Sequence, residues 1–256
     1  MAPTAIVSDI HSNIHALNAV LEDARACSVQ RVVCLGDVIG YGAHPIECID
    51  AARTFDFCLR GNHEDGIAGK LDLFNEDARQ AALWTRRLLK AGLLAPEEKK
   101  NRWQFVQERP RRREEEGAMF VHGSPRNPVW EYLFDFDCAD LFGRASDKVM
   151  ENLALVSEFC FVGHTHVPGV IDDGGRFIHL EALGDPFELE TGAKAIVNVG
   201  SVGQPRDGDP RASYALFDGR KVTFRRVEYD VAAACQDIIA EPDLPDSAGQ
   251  RLLQGF

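Results

Sequence analysis

The chain reads as an α/β protein, and three observations predict it. Short apolar runs rich in Val, Ile and Phe recur through the first two-thirds of the sequence. Segments with helical spacing separate the earlier ones. Five of the runs end at a residue that can ligate a metal. Ile6-Val7-Ser8 leads into Asp9-Ile10-His11, Val32 to Gly36 into Asp37, and Phe57 to Gly61 into Asn62-His63. Ala118 to Val121 ends at His122, and Phe159 to Gly163 at His164-Thr165-His166. Runs of this length and composition are expected to be buried strands. Ligands of open α/β sheets bind beyond the carboxyl ends of the strands. These side chains are therefore expected to gather on one rim.

The elements follow in order. After His11, apolar residues at Leu17, Val20, Leu21 and Ala24 mark a helix over Asn13–Ala24, with Ser12 or Asn13 as its N-cap. Gly40-Tyr41-Gly42 follows the second strand, and Pro45 is a good first residue for the next helix. Strand-helix alternation of this kind predicts right-handed βαβ units and a largely parallel sheet. A helical insert is expected over residues 75–106. Asn75 caps it, Glu76 and Asp77 suit its positive end, and Ala81, Trp84, Leu88 and Ala91 form the buried stripe. Arg86, Arg87 and Lys90 suit the far end, Gly92 stops it, and Pro96 begins a second helix. Trp84 and Trp103 read as packing residues. Arg109 to Glu116 is a basic run followed by an acidic one; its charges cancel, as in a solvated hairpin or loop rather than a nucleic-acid patch.

Beyond His166 the pattern becomes mainly antiparallel or mixed. Hairpins are expected around Asp173-Gly174 and Asp218-Gly219, and Ala195 to Val199 is a further strand. A helix over Val231–Ala240 and a Pro-containing tail over 241–256 complete residues 1–256 as a single domain.

With 28 Lys and Arg against 40 Asp and Glu, the formal net charge is −12. Nucleic-acid backbones and anionic membranes require clustered cations, so neither is an expected partner. An anionic substrate still binds if metal ions supply local positive charge. The seven cysteines are odd in number and dispersed, with no CxxC, as in a reducing compartment. No leader segment or membrane span is evident, so the expected location is cytoplasmic.

Asp9, His11, Asp37, Asn62, His122, His164 and His166 comprise two Asp, one Asn and four His. That set suffices for two divalent ions sharing one carboxylate, the equipment of a two-metal phosphoester hydrolase. His15, His44 and His179 lack strand-end context and read as structural.

The ordered motifs Asp9-Ile10-His11, Gly36-Asp37, Gly61-Asn62-His63-Glu64, His122-Gly123 and Gly163-His164-Thr165-His166 resemble the calcineurin-like metallophosphoesterase signature. The segment from Asn198 to Arg206 resembles the small prokaryotic phosphodiesterase and phosphatase branch of that superfamily. The resemblance implies a four-layer α/β/β/α sandwich of two mixed sheets. It implies that Asp9, His11 and His166 hold one metal, that Asn62, His122 and His164 hold the second, and that Asp37 bridges them. A metal-bridging hydroxide is then the nucleophile and His63 the general acid. Glu64 stands where the family more often has Asp, which leaves the group orienting His63 open. Manganese is the metal the resemblance suggests, while the oxygen and imidazole donors also suit Fe, Zn, Co or Ni.

Asn13 and Arg206 are candidate phosphate contacts, Asn13 competing with a capping role and Arg206 with a salt bridge. The expected substrate is a small phosphorylated molecule, such as a nucleotide or dinucleoside polyphosphate. The alternative is a phosphoprotein phosphatase, which Leu59 to Glu64 resembles. Against it, Tyr41 stands where that branch carries an Asp-Arg pair. A catalytically silent scaffold would show eroded ligands, which this chain does not.

Overall fold

The computed structural model describes residues 3–115, 117–138 and 144–256. Its strands are β1 (Thr4–Val7), β2 (Arg31–Cys34), β3 (Phe57–Cys58), β4 (Arg112–Glu115), β5 (Ala118–Val121), β6 (Phe159–Val162), β7 (Gly169–Ile171), β8 (Phe177–His179), β9 (Phe187–Glu188), β10 (Ala195–Asn198), β11 (Ala212–Phe217) and β12 (Lys221–Val227). They form two six-stranded sheets, ordered β3-β2-β1-β11-β12-β9 and β4-β5-β6-β10-β7-β8. Both are mixed. β1 pairs parallel with β2 and antiparallel with β11, while β6 is parallel to both β5 and β10.

The five strands that lead to candidate ligands therefore do not share one sheet. β1, β2 and β3 lie in the first, β5 and β6 in the second. The two mixed sheets implied by the family resemblance are present: β1, β2 and β3 pair in parallel as the strand-helix alternation predicts, and the free flank of β1 takes β11 antiparallel, with Thr4 opposite Phe217.

Period-two alternation builds the layers. Ile6, Val33, Phe159, Phe161, Val197 and Ala215 interdigitate between the sheets. The alternate residues Ala5, Val7 and Cys34 face the helical layer of α1 (Ile14–Ala26), α2 (Pro45–Ala52), α4 (Glu76–Leu89) and α5 (Glu97–Gln107). Cys160 and Val162 instead face α6 (Asp147–Ala154). The result is helix, sheet, sheet, helix.

Local chemistry places the helix ends. Asn13 caps α1 by accepting the Ala16 N–H at 3.1 Å, Pro45 opens α2, and Asn75 caps α4 by accepting from Ala78 at 2.9 Å. In α4 the buried face is Ala78, Ala81, Ala82, Trp84, Thr85 and Leu89. Leu88 is 37% exposed, contrary to the expected stripe, and the helix ends at Leu89, before Gly92. The charge-laced β4 forms a hairpin with β5 at a sheet edge, where paired Arg and Glu discourage further strand addition. The tail past α7 (Val231–Ala240) is partly helical, with α8 at Asp246–Gln250. Leu244, Ala248 and Leu252 bury it against Ala78, Ala81 and Trp84 of the insert. Among the described residues, no helix is long and apolar enough to cross a membrane.

Candidate metal centre

The carboxyl ends of β1, β2, β3, β5 and β6 meet at one seam between the sheets. The loops there are cramped: Asp9, His11, Asp37, His164 and His166 all take positive φ, between 48° and 67°. Non-glycine residues rarely occupy that region, and such strain clusters at functional sites. Gly61 and Gly163 are required by close approach. A Cβ on Gly61 would lie 2.0 Å from Asp37 Oδ1, and one on Gly163 would lie 2.4 Å from Asp9 Oδ2.

All eight predicted residues of the centre converge, and all are buried. His11 Nε2 and His166 Nε2 face each other at 3.1 Å, and His166 Nε2 lies 3.1 Å from Asp9 Oδ1. A second group has His122 Nε2 at 3.1 Å from both Asn62 Oδ1 and His164 Nδ1. Asp37 Oδ2 lies between the groups, 3.8 Å from His11 Nε2 and 3.3 Å from His122 Nε2.

Outer partners aim these atoms. Asp9 Oδ2 accepts the His164 N–H at 2.9 Å, and Asp37 Oδ1 accepts the His63 N–H at 2.8 Å, which leaves one oxygen of each carboxylate facing the centre. His11 Nδ1 donates to Ile39 O, His166 Nδ1 to Gln204 O and His164 Nε2 to Trp130 O. Such bonds to carbonyls fix the tautomer and present the other nitrogen's lone pair inward.

The donor set fits divalent metal ions. Asp9 Oδ1 is buried and accepts no hydrogen bond, a costly state unless a cation answers it. Burial raises the cost of ionising Asp9 and Asp37, yet the surrounding imidazoles hold both carboxyls below their ordinary range. Burial opposes charge on His122, but Asp37 and then Asp9 outweigh it and carry that imidazole up to about 9. Burial pushes His11, His164 and His166 down. Three groups of imidazoles and carboxylates at the seam can each hold an ion: Asp9-His11-His166, Asp37-His122-His164 and His11-Asp37-His63.

A cleft of about 220 Å³ opens onto the centre, lined by Asp37, Asn62, His63, His164 and His166 together with Tyr41, Phe74, Trp130, Tyr132 and Arg206. His63 packs edge-on against Phe74 with ring centroids 4.9 Å apart, and its buried Nδ1 has no partner. Burial brings its imidazole down to about 4, with Arg206 adding to the effect against Asp37. Arg206 lies over the Tyr41 ring at 5.9 Å and donates from Nη2 to Gln204 Oε1.

Asn13 is corrected to a structural role. Both donors are spent on Gly203 O and Tyr229 Oη, and its oxygen caps α1, so nothing remains for a phosphate. Glu64 does not orient His63. Its carboxylate accepts the N–H groups of Asp37, Val38, Ile39 and Gly61, pinning the Asp37 loop to the start of α3 (Asn62–Ala68). The signal was available, since Glu three residues after a helix cap is half of a capping box. Tyr132, stacked on His164 at 3.5 Å, carried no comparable signal.

The model of the calcineurin-like phosphoesterase superfamily domain matches residues 3–221. The chain belongs to that superfamily. This phosphoesterase is 37% identical to a metallophosphoesterase of Sphaerobacter thermophilus, whose crystal structure superposes with a TM-score of 0.80 over 99% of each chain. It is 38% identical over 262 residues to an uncharacterized protein of Methanocaldococcus jannaschii, a match that spans 98% of this chain and 97% of that one. A hypothetical protein of Pyrococcus horikoshii OT3 shares the fold, with a TM-score of 0.76 at 21% identity over 100% and 99% of the two chains. The phosphoesterase is thus a metal-dependent hydrolase of phosphoester bonds.

Proposed function

We propose that the phosphoesterase binds two divalent ions, manganese first among the candidates, and hydrolyses a small phosphorylated substrate of the nucleotide or dinucleoside polyphosphate class. Asp9, His11 and His166 would hold one ion, Asn62, His122 and His164 the other, and Asp37 both. The supporting observation is Asp37 Oδ2, poised between His11 Nε2 and His122 Nε2 while its other oxygen is held by the His63 N–H. Ions held there would supply Lewis acidity toward a phosphoryl oxygen and would lower the pKa of a water molecule.

The protein's own groups do the rest. Arg206 offers guanidinium donors to a phosphate oxygen. His63 serves as acid toward the leaving oxygen. Burial holds its imidazole down to about 4, and a substrate's negative charge in the cleft would favour the protonated ring that donation requires. Phe74, Trp130 and Tyr132 offer faces and edges against which a base can pack. That aromatic enclosure favours a small substrate over a protein chain. We also propose that residues 1–256 act as one domain, and that the protein works in the cytoplasm, in keeping with seven free cysteines.

The test is metal analysis of purified protein, with turnover of p-nitrophenyl phosphate, bis-p-nitrophenyl phosphate, cyclic nucleotides and dinucleoside polyphosphates. Two metals per chain and preferential turnover of a nucleotide are expected. One metal, or turnover of phosphopeptides alone, would overturn the reading.

A further inference from the structure

A second set of metal-type donors lies apart from the seam, where α1, α2 and α7 meet. His15 is in the first turn of α1, His44 immediately precedes Pro45 of α2, and Asp237 is on α7. The two histidines are 222 and 193 residues from Asp237 in sequence, yet His15 Nε2 and His44 Nε2 lie 2.7 and 2.8 Å from the same oxygen, Asp237 Oδ2. The two rings stand at 76° to one another with centroids 5.7 Å apart, so their nitrogens converge on a point instead of stacking. Glu47 Oε2 lies 3.9 Å from His44 Nδ1.

We propose that His15, His44 and Asp237 form a metal site for a zinc-type divalent ion, separate from the candidate catalytic centre. Two imidazoles and one carboxylate are the donors that suit zinc, and three protein ligands leave a fourth position for water. With only one carboxylate among its three donors, the set is a poor match for Mg²⁺ or Ca²⁺, which take oxygen ligands. Side-chain exposures of 30%, 30% and 40% leave the cluster open to solvent, so an ion can enter without unfolding. Coordination needs a change of tautomer and a spreading of the donors by about 0.5 Å, from hydrogen-bond distance to the separation that tetrahedral Zn–N and Zn–O bonds impose. Ligation through Nε2 leaves Nδ1 of each ring as the donor, and the Glu47 carboxylate, 3.9 Å from His44 Nδ1, is near enough to become the outer partner that ligating histidines commonly have. The two imidazoles already hold the Asp237 carboxyl below its ordinary value, so it is ionised at neutral pH.

The site has a place in the architecture. His44 ends the loop that carries Asp37 and Tyr41, and its N–H donates to Ser12 O beside His11. An ion here would fasten that loop and α1 to the C-terminal helix.

The test uses the full chain, stripped with a chelator and titrated with Zn²⁺ in equilibrium dialysis. Wild type should bind one equivalent more than Asp237→Asn or His15→Gln, with unchanged far-ultraviolet circular dichroism. Equal stoichiometry and affinity in wild type and both variants would overturn the proposal. Anomalous diffraction at the zinc edge from soaked wild-type crystals decides independently of how the variants fold. A peak between the two imidazoles is expected, and peaks confined to the surroundings of Asp37 would overturn it.

Discussion

The Glu64 carboxylate accepts the backbone N–H of Asp37 at 2.9 Å. Through this bond and those to Val38, Ile39 and Gly61, a side chain that faces away from the cleft fixes the loop that carries the central carboxylate. Glu64→Gln turns an amide NH2 toward this cluster of N–H donors and leaves a buried donor unmatched. We expect a loss of about 1–3 kcal/mol, read as a lower thermal midpoint, together with weaker metal retention. An unchanged midpoint and metal content would show that the loop holds itself.

Asp37→Asn should empty the centre further than loss of any single terminal ligand, because both groups of donors use this carboxylate. Plasma emission should find one ion or none. Two tightly held ions with full turnover would refute the bridging role.

Metal affinity should rise steeply with pH. The folded pKa of His122, about 9, lies above the ordinary 6.5. Its proton therefore stabilises the metal-free fold fully below about pH 6.5, and that contribution is lost as pH rises through about 9. Because a ligand imidazole must shed its proton, binding competes with it over this window. Isothermal titrations at pH 6.5 and 8.5 should give tighter binding at the higher value. Affinity independent of pH would sink the assignment.

His63→Ala should keep its metals and lose turnover. General acid catalysis contributes about 10²–10⁴-fold, so the deficit should fall in that range for alkyl phosphates and shrink for p-nitrophenyl esters. Metal loss would make His63 a ligand. Equal slowing of both substrate types would make its role electrostatic.

Gly163→Ala places a methyl group 2.1 Å from Ser8 Oγ and 2.4 Å from Asp9 Oδ2. The strand end must shift and the bond from the His164 N–H to Asp9 must break. We expect about 1–3 kcal/mol of destabilisation and loss of metal from the Asp9 side, measured by denaturant unfolding and metal analysis. A wild-type unfolding curve would contradict the close approach.

Much of this was legible in local chemistry. Asn13, Pro45 and Asn75 announced their helices, Asp173-Gly174 and Asp218-Gly219 their hairpins, and the strand-end Asp, Asn and His residues their meeting point. What was not legible depends on partners distant in the chain. Nothing within β1 says that β11 will take its flank, so the division of strands between two sheets was legible only through the ordered motifs and their family resemblance, not through the periodicity of any strand. Leu88 fits a helical stripe, but the face of α4 that is buried was decided by Leu244, Ala248 and Leu252 of the tail. Asn13 could have pointed either way until Tyr229 and Gly203 claimed its amide.

The pairing of β1 with β11 also sets a timetable. A ribosome that has released residues up to His166 has exposed every candidate catalytic ligand, yet one flank of β1 is bare until Ala212–Phe217 emerges. Ser201 Oγ, which binds Asp9 O, and Gln204 O, which accepts from His166, arrive in the same late stretch. The centre is thus finished only well after its ligands have been made, and a nascent chain cannot acquire its full activity before β11 has closed against β1.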